Sequence, residues 1–335
     1  MSGKRMLWVS VALFGCGNLV AGNSCGQGQA GRDPDHSSEG LSVHDQTRVG
    51  AKAGAPAADS GDPVNSETVP LLPGAPPDDD YDHVVRLTGT QTGSSVSEMI
   101  NSLGPGTVLV RPLDQSGATI VDGMVIPRSS VTLYGLDLTG GYKLRSGTVM
   151  WEVKAEPASF SAGGADQWRI RDSVWSGGAG SSPAQGCVGN VYAQNFVGGD
   201  GDDPAEGWVI ENSTFKNYVP TESGCDSDHS EALFISARSV QGVIRNNVFG
   251  NNGNTAHVFF TWWGRGCTSY QPACSPDNIC IEGNSFGQTW TGSAPPGAYY
   301  DISAREELPA DLNIYVDPRQ DASLAGPSGW RRACR

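Results

Sequence analysis

Four segments of the chain repeat one pattern of apolar and polar positions. Each ends in an aromatic residue, with isoleucine five positions earlier and a charged residue four positions earlier. An apolar residue followed by a charged one is the alternation of a strand with one face buried and one in water. The segments are Arg169–Trp175, Val209–Phe215, Val243–Phe249 and Cys280–Phe286.

A one-residue corner is predicted inside each segment, three positions before the aromatic. The residues there are Asp172, Asn212, Asn246 and Gly283. These residue types adopt a left-handed backbone at the least cost. Each segment is therefore predicted to be a short strand, a corner and a second short strand.

The repeats follow one another at the spacing of a solenoid. Ile170, Ile210, Ile244 and Ile281 are 40, 34 and 37 residues apart, and Leu133 lies 37 residues before Ile170. Periods of about 20 to 50 residues are typical of solenoids, propellers and arrays. Short strands with Asn or Gly corners favour a β-solenoid, with five or six coils between Ser130 and about Val316.

The repeat resembles the right-handed parallel β-helix of the pectin-lyase-like superfamily. The resemblance covers about Val84 to Val316 and implies stacked isoleucine and aromatic columns in the core, with asparagines forming a ladder at a corner. The expected fold class is all-β, a right-handed parallel β-helix. A shared fold does not by itself determine the function.

A short helix is predicted to close the N-terminal end of this stack. Ser94–Leu103 offers an N-capping serine, apolar residues at 96, 99, 100 and 103, and a stop at Gly104-Pro105-Gly106. A strand follows at Thr107–Val110. Because a solenoid exposes apolar surface at its ends, such a cap is expected.

A second family of strands lies later in each coil. We align Val191, Leu233, Val258 and Tyr300 in one inward column, and Ala193, Ile235, Phe260 and Ile302 in the next. The outward column between them is then Tyr192, Phe234, Phe259 and Asp301. A slip of one residue would exchange the two faces.

The composition limits the partners. The chain has 335 residues, 45 of them Gly, with 17% charged residues and a formal charge of −14. Sequence-independent nucleic-acid binding depends on a basic surface, so we expect no nucleic-acid partner.

The N-terminal region has the features of an export signal. Lys4-Arg5 precedes a short apolar run, Met6–Gly15, that is too short to span a bilayer. Its end, Leu13-Phe14-Gly15-Cys16, resembles a bacterial lipobox. We expect a signal at 1–16, a lipid on Cys16 as the only membrane attachment, a Gly/Ala/Ser/Pro/Asp-rich disordered tether at 17–83 and a β-helix at 84–335. The chain is expected to be exported, to the cell envelope or beyond it, and monomeric.

Six cysteines remain when Cys16 and Cys25 are set aside. In an exported chain they predict up to three disulfides. Cys267 and Cys274 bracket a short loop and form the expected local pair. A zinc site is the alternative. The six are Cys187, Cys225, Cys267, Cys274, Cys280 and Cys334.

Candidate chemistry lies at the starts of adjacent strands of the second family. Asp226–Glu231 precedes one strand, His257 begins the next, and Asp301 follows in the one after. Because equivalent positions of neighbouring coils lie about 5 Å apart, His229, Glu231 and His257 are expected to share one patch. The structural alternative is a polar corner that caps backbone groups.

The functional interpretation of this patch is a general acid/base site on a polysaccharide. His229 and His257 would move protons, with Asp228 and Glu231 as carboxylate partners. Alternatively, two carboxylates from among Asp226, Asp228 and Glu231 would form the catalytic pair of a glycosidase. Asp226 and Asp228 are candidate ligands for Ca²⁺, the one cofactor suggested.

Aromatic and basic residues nearby are candidate substrate contacts. Trp262 or Trp263 would stack on sugar rings, and Phe234 and Phe259 would extend that platform. Arg245 or Arg265 would pair with substrate carboxylates. The alternative is that the loop Gly264–Asp277 folds back and buries both tryptophans.

Two alternative functions are therefore considered. The first is an exported carbohydrate-active β-helix that acts on an extracellular polysaccharide by elimination or hydrolysis. The second is a non-catalytic glycan-binding or structural surface protein. Lyases of the superfamily use Lys or Arg as a base, with Ca²⁺ or a basic residue at the uronate carboxylate, but no motif of theirs is found in this chain.

Overall fold

The computed structural model describes residues 74–114, 117–177, 194–218, 231–250, 252, 256–263, 267, 271–287, 300–304, 308 and 312–334. These residues form one α-helix, α1 (Gly93–Ser102), and three 3-10 helices, Asp78–Asp80, Pro272–Cys274 and Ser328–Trp330. No helix among them is long and apolar enough to cross a membrane.

Strands make up most of the described chain. In chain order they are β1 (His83–Leu87), β2 (Gly89–Thr92), β3 (Val108–Pro112), β4 (Ala118–Val121), β5 (Met124–Val125), β6 (Val131–Tyr134), β7 (Asp137–Lys143), β8 (Val149–Trp151), β9 (Lys154–Gly163), β10 (Arg169–Arg171), β11 (Val174–Ser176), β12 (Asn195–Gly198), β13 (Ala205–Glu206), β14 (Val209–Glu211), β15 (Thr214–Lys216), β16 (Leu233–Ile235), β17 (Ser239–Val240), β18 (Val243–Arg245), β19 (Val248–Gly250), β20 (Ala256–Phe260), β21 (Ile279–Glu282), β22 (Ser285–Phe286), β23 (Tyr300–Ala304), β24 (Ile314–Val316) and β25 (Leu324–Ala325).

These strands form an all-β parallel solenoid. One sheet has nine strands in the order β1-β3-β6-β8-β10-β14-β18-β21-β24. A second, with fourteen strands, contains the run β22-β19-β15-β11-β9-β12-β16-β20-β23-β25, and β13 pairs with β17 in a small third sheet. Neighbouring strands are about one coil apart in sequence and run parallel, as expected for stacked coils.

The predicted isoleucine column is confirmed. Ile170, Ile210, Ile244 and Ile281 are direct neighbours on β10, β14, β18 and β21. The column extends to Val316 at one end and to Met150, Leu133, Val110 and Val85 at the other.

One predicted interval was wrong. Leu133 does not neighbour Ile170, because Met150 on β8 lies between them. The 37 residues are therefore two short coils. The strand was missed because its corner is formed by Glu152, which has a positive φ of 52° although glutamate rarely adopts one.

The predicted corners are also confirmed. Asp172, Asn212, Asn246 and Gly283 have φ values of 50°, 51°, 54° and 64°. The residue after each corner points inward and forms a ladder of hydrogen bonds between coils. These four residues are Ser173, Ser213, Asn247 and Asn284, and Gln320 ends the ladder by accepting from the Asn284 N–H.

The second family of strands has the predicted inward and outward faces, but the predicted register is right for only one pair of strands, β16 and β20. Leu233 neighbours Val258 and Ile235 neighbours Phe260, as expected. On β23, however, Ile302 neighbours Val258, two residues from the prediction.

A larger correction applies on the N-terminal side of that family. The strand that neighbours β16 is β12, so Asn195 lies beside Leu233 where Val191 was expected. Val191, Tyr192 and Ala193 lie outside the described residues.

The N-terminal cap is helix α1, as predicted. Val96 and Ile100 are buried and Met99 and Leu103 partly buried. The capping residue is Thr92, whose Oγ1 accepts from the Ser95 N–H, and not a serine. The folded part begins ahead of residue 84, because Asp78 pairs with Arg111 at 3.0 Å.

The C-terminal end has a cap that the sequence did not suggest. Trp330 is fully buried and packs edge-on against Phe260 at 5.7 Å between ring centroids. A disulfide joins Cys280 on β21 to Cys334. The predicted Cys267–Cys274 disulfide is also present. Two disulfides are consistent with an oxidising compartment. Cys16, Cys25, Cys187 and Cys225, with the proposed signal and residues 17–73 of the proposed tether, lie outside the described residues.

Candidate functional site

Three phenylalanine rings form a stack on the outer face of β12, β16 and β20. Phe196 and Phe234 are 6.3 Å apart at an interplanar angle of 20°, and Phe234 and Phe259 are 5.6 Å apart at 29°. They point outward because their strand neighbours, including Leu233 and Ile235, fill the core. We call this surface, Phe196, Phe234 and Phe259, the aromatic face. Phe196 and Phe234 are half-buried and Phe259 is 8% exposed.

Small residues beside the rings make room for them. A Cβ on Gly198 would lie 2.9 Å from Cζ of Phe196, closer than atoms of real side chains approach. A Cβ on Gly163, in the adjacent strand β9, would lie 4.0 Å from Cε1 of the same ring. The ring of Phe196 therefore lies against glycine backbone at the end of the stack.

His257 lies on the same strand as Phe259, two residues earlier, but it is fully buried. Its Nε2 donates to the Gly287 carbonyl at 3.1 Å, and the Asn252 amide donates to its Nδ1 at 3.2 Å. A carbonyl only accepts, so the proton lies on Nε2. The ring is the neutral Nε2–H tautomer.

The surroundings of His257 oppose its protonation. Burial lowers the pKa of His257, while the hydrogen bond to Gly287 and the nearby Asp301 carboxylate act in the opposite direction. Asp301 Oδ1 lies 3.8 Å from His257 Nε2. Asp301 is 18% exposed and lies on β23 two residues before Ser303, the direct neighbour of Phe259, which places it at the edge of the aromatic face.

Glu231 and the two tryptophans lie deeper than a surface site requires. Glu231 is fully buried just before β16. Trp262 is 8% exposed and belongs to the main core, and Trp263 packs partly buried against it. The Trp263 carbonyl accepts from Ser236 Oγ at 2.6 Å. Trp262 therefore joins the core.

Arg245 lies on the other long sheet, away from the aromatic strands. It is on β18, where its Nε and Nη2 donate to Glu211 Oε2 at 2.9 and 2.5 Å. Arg169 approaches the other carboxylate oxygen at 3.7 Å. Arg245 thus belongs to an ion-pair ladder, and the structure does not bring it together with Phe234 and Phe259.

The remaining candidates cannot be placed. Asp226, Asp228, His229 and Arg265 lie outside the described residues. Among the described residues, one group has metal-ligand atoms within 4.8 Å of one another, namely Cys280, Glu282 and Cys334. Its two sulfurs are joined as a disulfide, so they offer no thiolate to a metal.

Phe196 is the residue of the aromatic face that sequence reasoning missed. Asn195-Phe196-Val197 has the same alternation as Leu233-Phe234-Ile235, except that a polar Asn195 stands at the first inward position. That asparagine is buried, accepts from the Phe160 N–H at 2.9 Å and donates to the Ala232 carbonyl at 2.7 Å. The outward Phe between two inward residues was the usable signal.

No protein-family model, curated protein or solved structure matches this chain. Its function is therefore inferred from the geometry of the aromatic face and its surroundings.

Proposed function

We propose that this chain is an exported carbohydrate-active protein that acts on an extracellular polysaccharide through the aromatic face. The observation that supports this most directly is the outward stack of Phe196, Phe234 and Phe259. An aromatic surface on a rigid sheet offers apolar contact to the C–H groups of sugar rings at little entropic cost. The stack crosses successive strands, so a bound polymer would run along the solenoid axis, from one coil to the next.

In the catalytic form of the proposal, acid/base groups at the end of this face move protons during elimination or hydrolysis. Asp301 is the described carboxylate that borders the face, and His257 Nε2 lies 3.8 Å from it. A neutral Nε2–H tautomer held by Gly287 orients the imidazole. His229, Asp228 and Glu231 complete the predicted set.

A non-catalytic glycan-binding protein is the second candidate, and the burial of His257 and Glu231 favours it. Both side chains have 0% exposure, so neither contacts a polymer on the described surface. A general acid or base must lie within hydrogen-bond reach of the proton that it transfers, directly or through one water. In this form the solenoid is a stiff support for the aromatic face.

The proposed location is the cell envelope. The two disulfides fit an oxidising compartment. A lipid at Cys16, followed by a tether ahead of the solenoid, would hold the solenoid at a distance from the membrane. Labelling with a radioactive fatty acid, compared between wild type and Cys16→Ser, tests the anchor.

The function itself is tested by screening the full chain against polysaccharides. Affinity electrophoresis measures binding, while the absorbance of unsaturated products and the release of reducing ends, with Ca²⁺ or EDTA, measure cleavage. If Phe196→Ala and Phe234→Ala weaken binding, this supports the aromatic face as the binding surface. If the wild type cleaves a polysaccharide and Asp301→Asn, or the double variant His229→Ala, His257→Gln, abolishes that cleavage, the protein is an enzyme. Binding without cleavage establishes the second candidate.

A further inference from the structure

The charges around the aromatic face differ from those on the nine-stranded sheet. Beside the stacked rings, the outer positions of β9, β12 and β23 that neighbour them, and the positions just after β16 and β20, carry small uncharged residues. These are Ser161, Gly163, Gly198 and Ser303, with Ser236 and Thr261 just after β16 and β20. A carboxylate, Asp301, lies at one end.

Basic side chains in the described residues are distant from the rings or already paired. Lys143 is in the same column as Phe196, but Ser161 lies between them. Arg238, just beyond β16, donates to Asp202 Oδ1 at 2.9 Å and to the Gly201 carbonyl. Arg171 and Arg245, on the other sheet, pair with Asp172 and Glu211.

We propose that the aromatic face binds neutral polysaccharides and discriminates against uronate-containing ones. This rests on the proposed function and gives its substrate class. A uronate carboxylate brought onto the rings would lose water without gaining a cation from the described residues, which is costly. Asp301 at the edge would repel it further. A neutral sugar pays neither cost, and its hydroxyls donate to the Asp301 carboxylate in charge-assisted hydrogen bonds.

The dependence on salt separates the two classes of ligand. Binding through apolar contact and hydroxyl hydrogen bonds is insensitive to salt, whereas pairing between exposed charges weakens as salt screens it. The full chain is titrated with neutral β-glucan and mannan oligosaccharides and with oligogalacturonate and alginate oligosaccharides. Each titration is made at about 0.05 and about 0.5 M NaCl, where the screening length differs severalfold.

We expect neutral oligosaccharides to bind with a Kd that changes less than about twofold between the two salt concentrations. Phe234→Ala should weaken binding about tenfold or more, as the loss of about 1.4 kcal/mol of ring contact would. Phe234→Leu retains the apolar volume and folding but lacks the ring, so it should also weaken binding. Asp301→Asn should weaken the binding of neutral oligosaccharides and reduce the discrimination against uronates. Trp151→Ala is the matched control, because Trp151 is a half-buried aromatic residue on the nine-stranded sheet. This variant should bind as tightly as wild type.

Two outcomes would overturn the inference in different ways. Tighter binding of uronates that weakens with salt and is lost in Arg265→Ala would show an anionic substrate, while the glycan function would stand. Folded protein that binds none of the four oligosaccharides, with a circular dichroism spectrum equal in wild type and variants, would overturn the proposed function together with the inference.

Discussion

The indole of Trp208 occupies the space where a side chain at Gly242 would be. A Cβ on Gly242 would lie 2.1 Å from Cζ2 of Trp208, well inside contact distance. Trp208 in turn stacks on Trp168 at 5.6 Å with an interplanar angle of 6°. Gly242 is therefore required by the packing of the neighbouring coil, since its φ is not in the left-handed range.

Gly242→Ala is expected to lower the free energy of unfolding by about 1–3 kcal/mol, because the indole or the backbone must shift in a filled core. Urea denaturation followed by tryptophan fluorescence measures the change. Gly250→Ala is the matched control, because a Cβ there meets nothing within 4 Å. It should differ from wild type by less than about 0.5 kcal/mol. Equal midpoints for the two variants would contradict the steric explanation.

The amide ladder behind the corners gives a second prediction. Asn247 Oδ1 accepts from the Ser213 N–H at 3.0 Å, and its Nδ2 donates to the Ile210 carbonyl at 3.0 Å. Asn247→Ala leaves these two buried backbone groups without partners and should cost about 2–4 kcal/mol. Val248→Ala, at the next, exposed position, should cost less than about 0.5 kcal/mol. A loss at Asn247 no larger than that at Val248 would show that water replaces the ladder.

Positions that repeat one environment in every coil were predictable from sequence. Ile210 and Phe215, like their equivalents, occupy the same inward columns in successive coils, so the pattern recurs and the corner residue Asn212 identifies the phase. Where a coil departs from the pattern, prediction failed. Asn195 points inward because hydrogen bonds to adjacent coils satisfy its side-chain amide. A prediction from hydrophobic alternation places a polar residue such as this one in water.

The candidate site was less predictable than the fold. Sequence alternation placed Phe234 and Phe259 together, because their register was predicted correctly. It placed Asp301 beside Phe259, whereas the structure places Ser303 there and brings Asp301 to 3.8 Å from His257. It did not predict the burial of His257, which arises where Phe249 on β19 and Phe286 on β22 pack against the imidazole. Nor did it show that Arg245 lies on the nine-stranded sheet, so Arg245 was grouped with Phe234 and Phe259 of the other sheet.

The two disulfides are expected to contribute unequally to stability. Cys280 and Cys334 are 54 residues apart and Cys267 and Cys274 only 7, and the loss of chain entropy in the unfolded state grows with the length of the closed loop. Replacing Cys280 and Cys334 by serine should cost about 4 kcal/mol, and replacing Cys267 and Cys274 about 2 kcal/mol. Urea midpoints of the two double variants test this order. The reverse order would mean that the C-terminal cap is held mainly by Trp330 and its contacts.

The buried imidazole of His257 makes stability depend on pH in a defined direction. Its pKa in the folded protein is below the usual 6.5, because burial disfavours the charged ring. Between the folded and unfolded pKa values the unfolded state binds more protons, so the free energy of unfolding falls as the pH is lowered from 6.5 towards the folded pKa. Above pH 6.5 this contribution is fully present.

His257→Gln should flatten that part of the pH profile, because glutamine does not titrate. Urea midpoints measured at intervals between pH 8 and pH 5 give the two profiles, and their difference isolates His257 from other groups that titrate. Val258→Ala, which destabilises the same strand but retains the imidazole, should keep the slope of wild type while shifting the whole profile downward. Parallel profiles for wild type and His257→Gln would mean that His257 titrates alike in the folded and unfolded chain. The buried neutral tautomer described here would then be incorrect.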